Sequence, residues 1–238
     1  MNHMLQGLFN YDNPVWRFIG KLGDLIILNI LWMVTCIPIF TVGASTTALY
    51  YVTLKLVRDE DGYTLKSYFK SFKENFRQAT VIWLIMLAAG LLLGFDLYFF
   101  LYMQTEASKF RTIMVTIFGS LTLVYACILT YVFPIQSRFY NPIKKTLFNA
   151  FFMSVRHIFQ TLGILVMDGA LVVLMVVSFY IAPQFSVLFL LFGFPLIAFV
   201  NSYVFHAIFK KYMPKDDRRD DNGELRPLFM DDEPEKNE

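Results

Sequence analysis

Five apolar blocks, each about twenty residues long, constrain this chain more than any other feature. A helix rises about 1.5 Å per residue, so about 20 apolar residues cross the roughly 30 Å hydrocarbon layer of a bilayer. Hydrophobic residues make up 56% of the chain and charged residues only 17%. The sequence therefore predicts an all-α, polytopic transmembrane helical bundle. Its five clear spans are Leu22–Val42, Ala79–Met103, Thr112–Ile135, Ile158–Ala182 and Gln184–His206.

Two parts of the chain differ in composition. Residues 1–213 predict a single transmembrane helical bundle, whereas residues 214–238 are highly charged and lack apolar periodicity. A segment of that kind buries too little apolar surface to fold alone, so we expect a disordered tail. The net charge of +2 is too small to indicate a nucleic-acid partner.

The distribution of lysine and arginine predicts the orientation. With five spans and the charged tail inside, 17 basic residues lie on the inner side and 4 on the outer side. Cytoplasmic loops of membrane proteins carry the excess of basic residues. We therefore expect a multi-pass membrane protein with its C-terminus in the cytoplasm.

The stretch Ile39–Val57 leaves two topologies open. Pro38 ends the helix ahead of it, because proline lacks a backbone donor and clashes with the preceding turn. The stretch is then either a re-entrant or interfacial helix, or a sixth span that returns to the inside. A sixth span places 19 basic residues inside and 2 outside, and it brings Asp24 and Lys55 to a similar depth. Hydropathy alone favours five spans, and charge favours the hairpin, which we prefer.

Two inner segments show the pattern of amphipathic interfacial helices, Thr64–Arg77 and Asn141–His157. Each has aromatic and aliphatic residues at helical spacing and basic residues elsewhere. Contact with anionic lipid explains the pattern, and contact with a partner protein is compatible with it. The basic residues proposed for lipid or partner contact are Lys66, Lys70, Lys73, Arg77, Arg138, Lys144 and Lys145.

Polar side chains within the spans are candidates for function, because polar groups are costly at membrane depth. They are Asp168, Asp96, Asn29 and Asn201, and Asp168 lies near the middle of its span. An aspartate at that depth is protonated, faces a watery cavity, or binds a neighbouring helix through hydrogen bonds. We weigh two roles for the four residues: polar contacts between helices, or the lining of a solute or proton path.

Other motifs are few. Gly90 and Gly94 form a GxxxG pattern, in which small residues allow another helix to approach closely. Gly193 and Pro195 predict a kink in the last span. The sequence contains no HExxH, GxSxG, P-loop or dinucleotide-binding motif and no Cys/His metal spacing. We therefore expect no enzymatic activity, no metal and no cofactor, and the oligomeric state stays open.

Two stretches of the chain resemble a known family. They are Ile37–Ala79, which contains GASTTALYY and EDGY, and Tyr131–Leu162, which contains Phe133-Pro134, Arg138-Phe139, Asn141 and His157. Both are similar to the hallmark regions of the YesL-like family of small bacterial multi-span membrane proteins, a domain of unknown function. The resemblance covers roughly residues 5–210.

The resemblance implies an association rather than a mechanism. Proteins of this family are often encoded beside ABC importers for carbohydrates, so the expected function is an accessory membrane component of oligosaccharide import that contacts importer subunits. One alternative is a self-contained transporter or channel with Asp168 and Asp96 along its path. Another is a membrane scaffold or sensor that acts through the charged tail. Similarity of fold alone does not decide among them.

Overall fold

The computed structural model describes residues 14–60, 62–103, 109–181 and 183–212. Over these ranges the chain is helical and contains no strand, as predicted. A 3-10 turn precedes the second helix and a π-helical turn, Phe99–Met103, extends the third. The predicted tail, residues 214–238, lies outside the described residues. The helices are α1 (Pro14–Thr35), α2 (Val42–Val57), α3 (Thr64–Tyr98), α4 (Lys109–Arg138), α5 (Ile143–Arg156), α6 (Ile158–Ile181) and α7 (Pro183–Phe209).

Among the described residues, five helical segments are long and apolar enough to cross a bilayer. Their apolar side chains face outward: Leu92 is 68% exposed and Val166 is 71% exposed. Exposing so much apolar surface to water is unfavourable, whereas lipid solvates it. The backbone hydrogen bonds are satisfied within each helix, as a lipid environment requires. The chain is a multi-pass integral membrane protein. The segments are Phe18–Thr35, Thr64–Tyr102, Lys109–Arg138, Ile158–Ile181 and Leu191–Phe209.

Helix α2 forms the buried centre of the bundle. Eleven of its sixteen residues are buried, and it packs against α3, α4 and α7. Gly43 allows the contact with α3, since a Cβ at this position would collide with the Ala79 carbonyl and lie 2.5 Å from Cβ of Trp83. Sixteen residues rise only about 24 Å, less than the hydrocarbon thickness. The stretch considered as a sixth span therefore contains a helix of 16 residues that is covered by protein, shorter than the five candidate segments of 18 to 39 residues.

Helices α1 and α2 nevertheless form an antiparallel hairpin. Nζ of Lys21 lies 2.6 Å from Oδ1 of Asp59, which joins the start of α1 to the turn after α2. Farther along, Nε1 of Trp32 donates to Oγ1 of Thr46 over 3.3 Å. His206, near the end of α7, interacts electrostatically with Arg58, just beyond α2. The start of α1 and the end of α7 consequently lie at the same end of the bundle.

The two amphipathic segments are helical, but they are built differently. Residues 64–77 continue into the following span as one helix of 35 residues, α3. The second segment is a separate helix, α5. Its exposed face carries Phe148, Phe151 and Phe152, while Thr146 and Ala150 are buried against the bundle. An apolar face turned away from protein suits the lipid interface.

Candidate functional site: a polar patch in an apolar groove

A half-open groove of about 1120 Å³ runs between α1, α6 and α7. Nearly all of its lining is apolar, and Met33, Val172 and Val177 are among the lining residues that are also exposed. Because all three helices contain membrane-spanning segments, the groove opens towards lipid. Polar side chains line it at Asn29, Tyr50, Asp168 and Ser178.

Asp168 and Asn201 connect α6 with α7. Nδ2 of Asn201 donates to both carboxylate oxygens of Asp168, over 3.0 Å to Oδ1 and 3.2 Å to Oδ2. Asn201 is fully buried, and its Oδ1 atom has no hydrogen-bond partner within the described residues. The aspartate thus has a neighbouring helix as its partner, one of the three arrangements expected from the sequence. It also reaches the groove, so the contact does not fully enclose it.

Asn29 compensates for the kink in α7. Gly193 has φ 30° and ψ −126°, which breaks the helix at this point. Pro195 has no N–H, so the carbonyl of Leu191, four residues earlier, loses its helical partner. Nδ2 of Asn29 donates to that carbonyl over 3.1 Å. The predicted kink is confirmed, and the buried amide on α1 satisfies the backbone group that the kink releases.

Aromatic side chains complete the wall and floor of the groove. The ring of Trp32 on α1 stacks on Phe194, directly after the kink, with 4.7 Å between ring centroids. Tyr50 reaches the groove from α2 and lies beside Asn201, within electrostatic range of Asp168. Sequence analysis did not select Tyr50. The available sequence signal was its position inside the GASTTALYY motif. A buried tyrosine usually hydrogen-bonds to a polar neighbour, so a tyrosine on a buried helix points to a polar group nearby.

The groove gathers three of the four predicted polar residues. Asp168 and Asn29 line it, and Asn201 binds Asp168. Asp96 is half-buried near the far end of α3 and is not part of the groove lining. The role of these four residues in function stays a prediction.

The two glycines of the GxxxG motif have different surroundings. Tyr125 of α4 packs on Gly90, where an added Cβ would lie 2.6 Å from the tyrosine hydroxyl. That hydroxyl donates to the carbonyl of Met86 over 2.9 Å. Gly94 has no neighbour within 4 Å of an added Cβ. Within this chain α4 therefore packs closely on α3 at Gly90, whereas the space around Gly94 is open.

A second polar cluster, which sequence analysis also missed, joins α3, α4 and α5. Nε2 of Gln136 donates to Oδ1 of Asn75 over 3.2 Å, and Oε1 of Gln136 accepts from Gln78 and Thr146. Nε2 of Gln78 also donates to the carbonyl of Asn141. These amides sit at the ends of the apolar blocks, where polarity alone does not distinguish a buried network from a solvated loop.

The predicted basic contact residues lie on the surface at the ends of α3, α4 and α5. Arg138, at the end of α4, is half-buried and lies within electrostatic range of His206. The remaining ones are exposed: Lys66, Lys70, Lys73, Arg77, Lys144 and Lys145.

Comparison with known proteins agrees with the resemblance seen in the sequence. The family described as "Protein of unknown function, DUF624" matches residues 25–97, which include the whole stretch Ile37–Ala79. The chain is also 27% identical over 179 residues to "Uncharacterized protein YesL" of Bacillus subtilis (strain 168), covering 75% of this chain and 82% of the relative. The chain is thus similar to YesL-like membrane proteins. Its similarity to YesL spans most of the bundle, and no solved structure matches it.

Proposed function

We propose that this YesL-like protein is an accessory membrane component of oligosaccharide import by an ABC importer, in the bacterial cell membrane with its C-terminus in the cytoplasm. The observation that carries the proposal is the apolar lining of the groove, which has a volume of about 1120 Å³. Burying a polar group without a hydrogen-bond partner costs about 1–3 kcal/mol. A sugar with many hydroxyls would meet too few partners here, whereas a helix or lipid chain would be well solvated.

The exposed basic residues support contact with a partner on the cytoplasmic side. Lys66, Lys70 and Lys73 lie on the part of α3 that precedes its apolar half, and Lys144 and Lys145 lie on α5. Basic side chains in this position attract anionic lipid and acidic protein surfaces. The family resemblance supports a carbohydrate importer as the partner, since such proteins are often encoded beside carbohydrate importers.

A pull-down of the tagged protein from its native membrane in a gentle detergent tests the proposal. We expect mass spectrometry to recover importer subunits in stoichiometric amounts. Replacing Lys66, Lys70 and Lys73 with glutamate should reduce that recovery, and Lys109→Glu, on the opposite end of the bundle, should not. Recovery of the protein alone, together with unchanged uptake of every oligosaccharide after gene deletion, would refute the accessory role.

One observation favours a second candidate, a small-solute transporter. The groove reaches Asp168, which lies near the middle of its span. Under this alternative, Asp168→Asn abolishes solute flux into reconstituted vesicles while the protein is still produced and folded. Unchanged flux would remove Asp168 from any transport mechanism.

A further inference from the structure

We propose that the groove between α1, α6 and α7 binds a transmembrane helix of a partner protein, and that this helix carries a lysine or arginine at mid-membrane depth that pairs with Asp168. The inference rests on the proposed accessory role and adds the binding site and the chemistry of the partner. It concerns the side of the bundle that faces lipid, apart from the basic cytoplasmic surface.

Asp168 has few hydrogen-bond donors around it. An ionised carboxylate has about four acceptor positions. In the part of the chain that the structure describes, the side-chain donor to Asp168 is the single amide nitrogen of Asn201. The other atom of that amide, Oδ1, is buried and accepts no hydrogen bond from a described residue. A donor with several protons would fill this patch, and a positive charge would offset that of the aspartate.

The depth of Asp168 distinguishes a helix from a lipid. Asp168 follows the first residue of α6 by ten positions, which is about 15 Å along the helix and half of the roughly 30 Å hydrocarbon layer. Lipid headgroups lie outside that layer, and acyl chains carry no donor. A side chain on a transmembrane helix can be placed at any depth. Basic residues within such helices face protein and pair with acidic groups.

A second copy of this chain does not supply the charge. In the membrane-spanning segments that the structure describes, lysine and arginine occur only towards the ends, at Lys21, Lys109, Arg111 and Arg138 and in the first part of α3. α6 and the membrane segment of α7 contain none. Charge complementarity therefore selects a different protein as the partner.

A peptide-binding experiment tests this proposal. The full chain is reconstituted in vesicles of phosphatidylglycerol and phosphatidylcholine and mixed with a dye-labelled, leucine-rich peptide of about 20 residues. One peptide has a central lysine and the other a central leucine, and binding is followed by energy transfer from a dye on the protein. We expect the lysine peptide to bind at least about tenfold more tightly. Asp168→Asn should abolish that preference, whereas Asp96→Asn, outside the groove, should preserve it.

A second pair of variants tests the groove without changing its charge. Val172 lines the groove and Val173, its neighbour on α6, does not, although both are exposed. We expect Val172→Trp to block binding of the lysine peptide and Val173→Trp to leave it unchanged.

Equal binding of the two peptides, or a preference that survives Asp168→Asn, would overturn the proposal. Self-association of the chain that Val172→Trp abolishes would identify a second copy as the occupant and would overturn it as well. The pull-down tests importer association independently, so failure of the peptide experiment would leave the accessory role standing.

Discussion

The contact between Asp168 and Asn201 makes a prediction about stability. Asn201→Ala removes the amide that donates to both carboxylate oxygens and leaves the aspartate without its donor. Asp168→Ala removes a costly acidic group as well as the bond. We therefore expect Asn201→Ala to lower the free energy of unfolding, and Asp168→Ala to lower it less or to raise it. Asp168→Ala also leaves a group unsatisfied, the Nδ2 atom of the buried Asn201. The asymmetry follows because that group is a neutral amide, whereas Asn201→Ala leaves an acidic group without its donor.

The coupling between the two residues has an expected size. Hydrogen bonds to charged groups contribute about 1.5–3 kcal/mol in soluble proteins, whereas polar contacts between membrane helices contribute about 0.6 and at most about 1.7 kcal/mol. Asn201 is fully buried, and both of its distances to the carboxylate are normal hydrogen-bond lengths. We expect a coupling free energy of about 1–1.7 kcal/mol, at the upper end of the membrane range.

A double-mutant cycle measures this coupling. The parent, the two single variants and the double variant are unfolded reversibly in mixed detergent micelles, and the coupling is the departure from additivity. As a control, Asp168→Ala is combined with Ser120→Ala on α4, whose hydroxyl donates to the carbonyl of Thr116 in its own helix. That pair should be additive within about 0.5 kcal/mol. A coupling no larger than the control's would refute the view that the two residues stabilise the α6–α7 contact.

Three further predictions concern packing, pH and topology. Gly43→Ala should destabilise the bundle by about 1–3 kcal/mol in the same unfolding assay, because its Cβ would collide with α3, while Gly94→Ala, with open space around it, should not. The pKa of His157 is lowered from its ordinary value of 6.5 by burial and by the charges of Lys211 and Arg156. As the pH decreases, the unfolded chain takes up the proton before the folded chain does. The contribution of His157 to the free energy of unfolding should therefore be fully present above about pH 6.5 and decrease at lower pH. His157→Gln should weaken this dependence in a pH series of unfolding midpoints. Reporter fusions at the two termini should report the same side of the membrane, and opposite sides would contradict the α1–α2 hairpin.

The central helix α2 shows where sequence reasoning reached its limit. Hydropathy identified residues 39–57 as too apolar for water, and charge favoured a return to the inner side. Hydropathy and charge indicate whether a segment prefers lipid or water and on which side of the membrane it lies. Neither indicates whether other helices of the same protein bury it. The burial of Ser45, Thr47 and Thr53 against other helices explains why this segment is less apolar than the spans around it. Hydroxyls that bond within the helix or to Ser202 need no water.

The candidate site was predictable in its members but not in its arrangement. Asp168, Asn29 and Asn201 stand out in sequence because polar groups are rare at membrane depth. Their separation along the chain contains no information about which of them meet. The kink at Gly193 could be predicted from the neighbouring proline, but the partner of the released carbonyl, Asn29, lies 162 residues away. Tyr50 and the amides around Gln136 were missed for the same reason.

The sequence alone was enough to identify a helical membrane protein, its five long apolar segments and the residues that are costly at membrane depth. These properties depend on local composition and on the length of each apolar block, since the bilayer acts as a solvent of fixed thickness. The burial of α2, the hairpin of α1 and α2, and the contact of Asp168 with Asn201 at a groove are properties of the tertiary structure. They depend on shape and hydrogen-bond complementarity between helices that are distant in sequence. Because the faces of membrane helices are similarly apolar, hydropathy alone allows each helix to pack against several different neighbours.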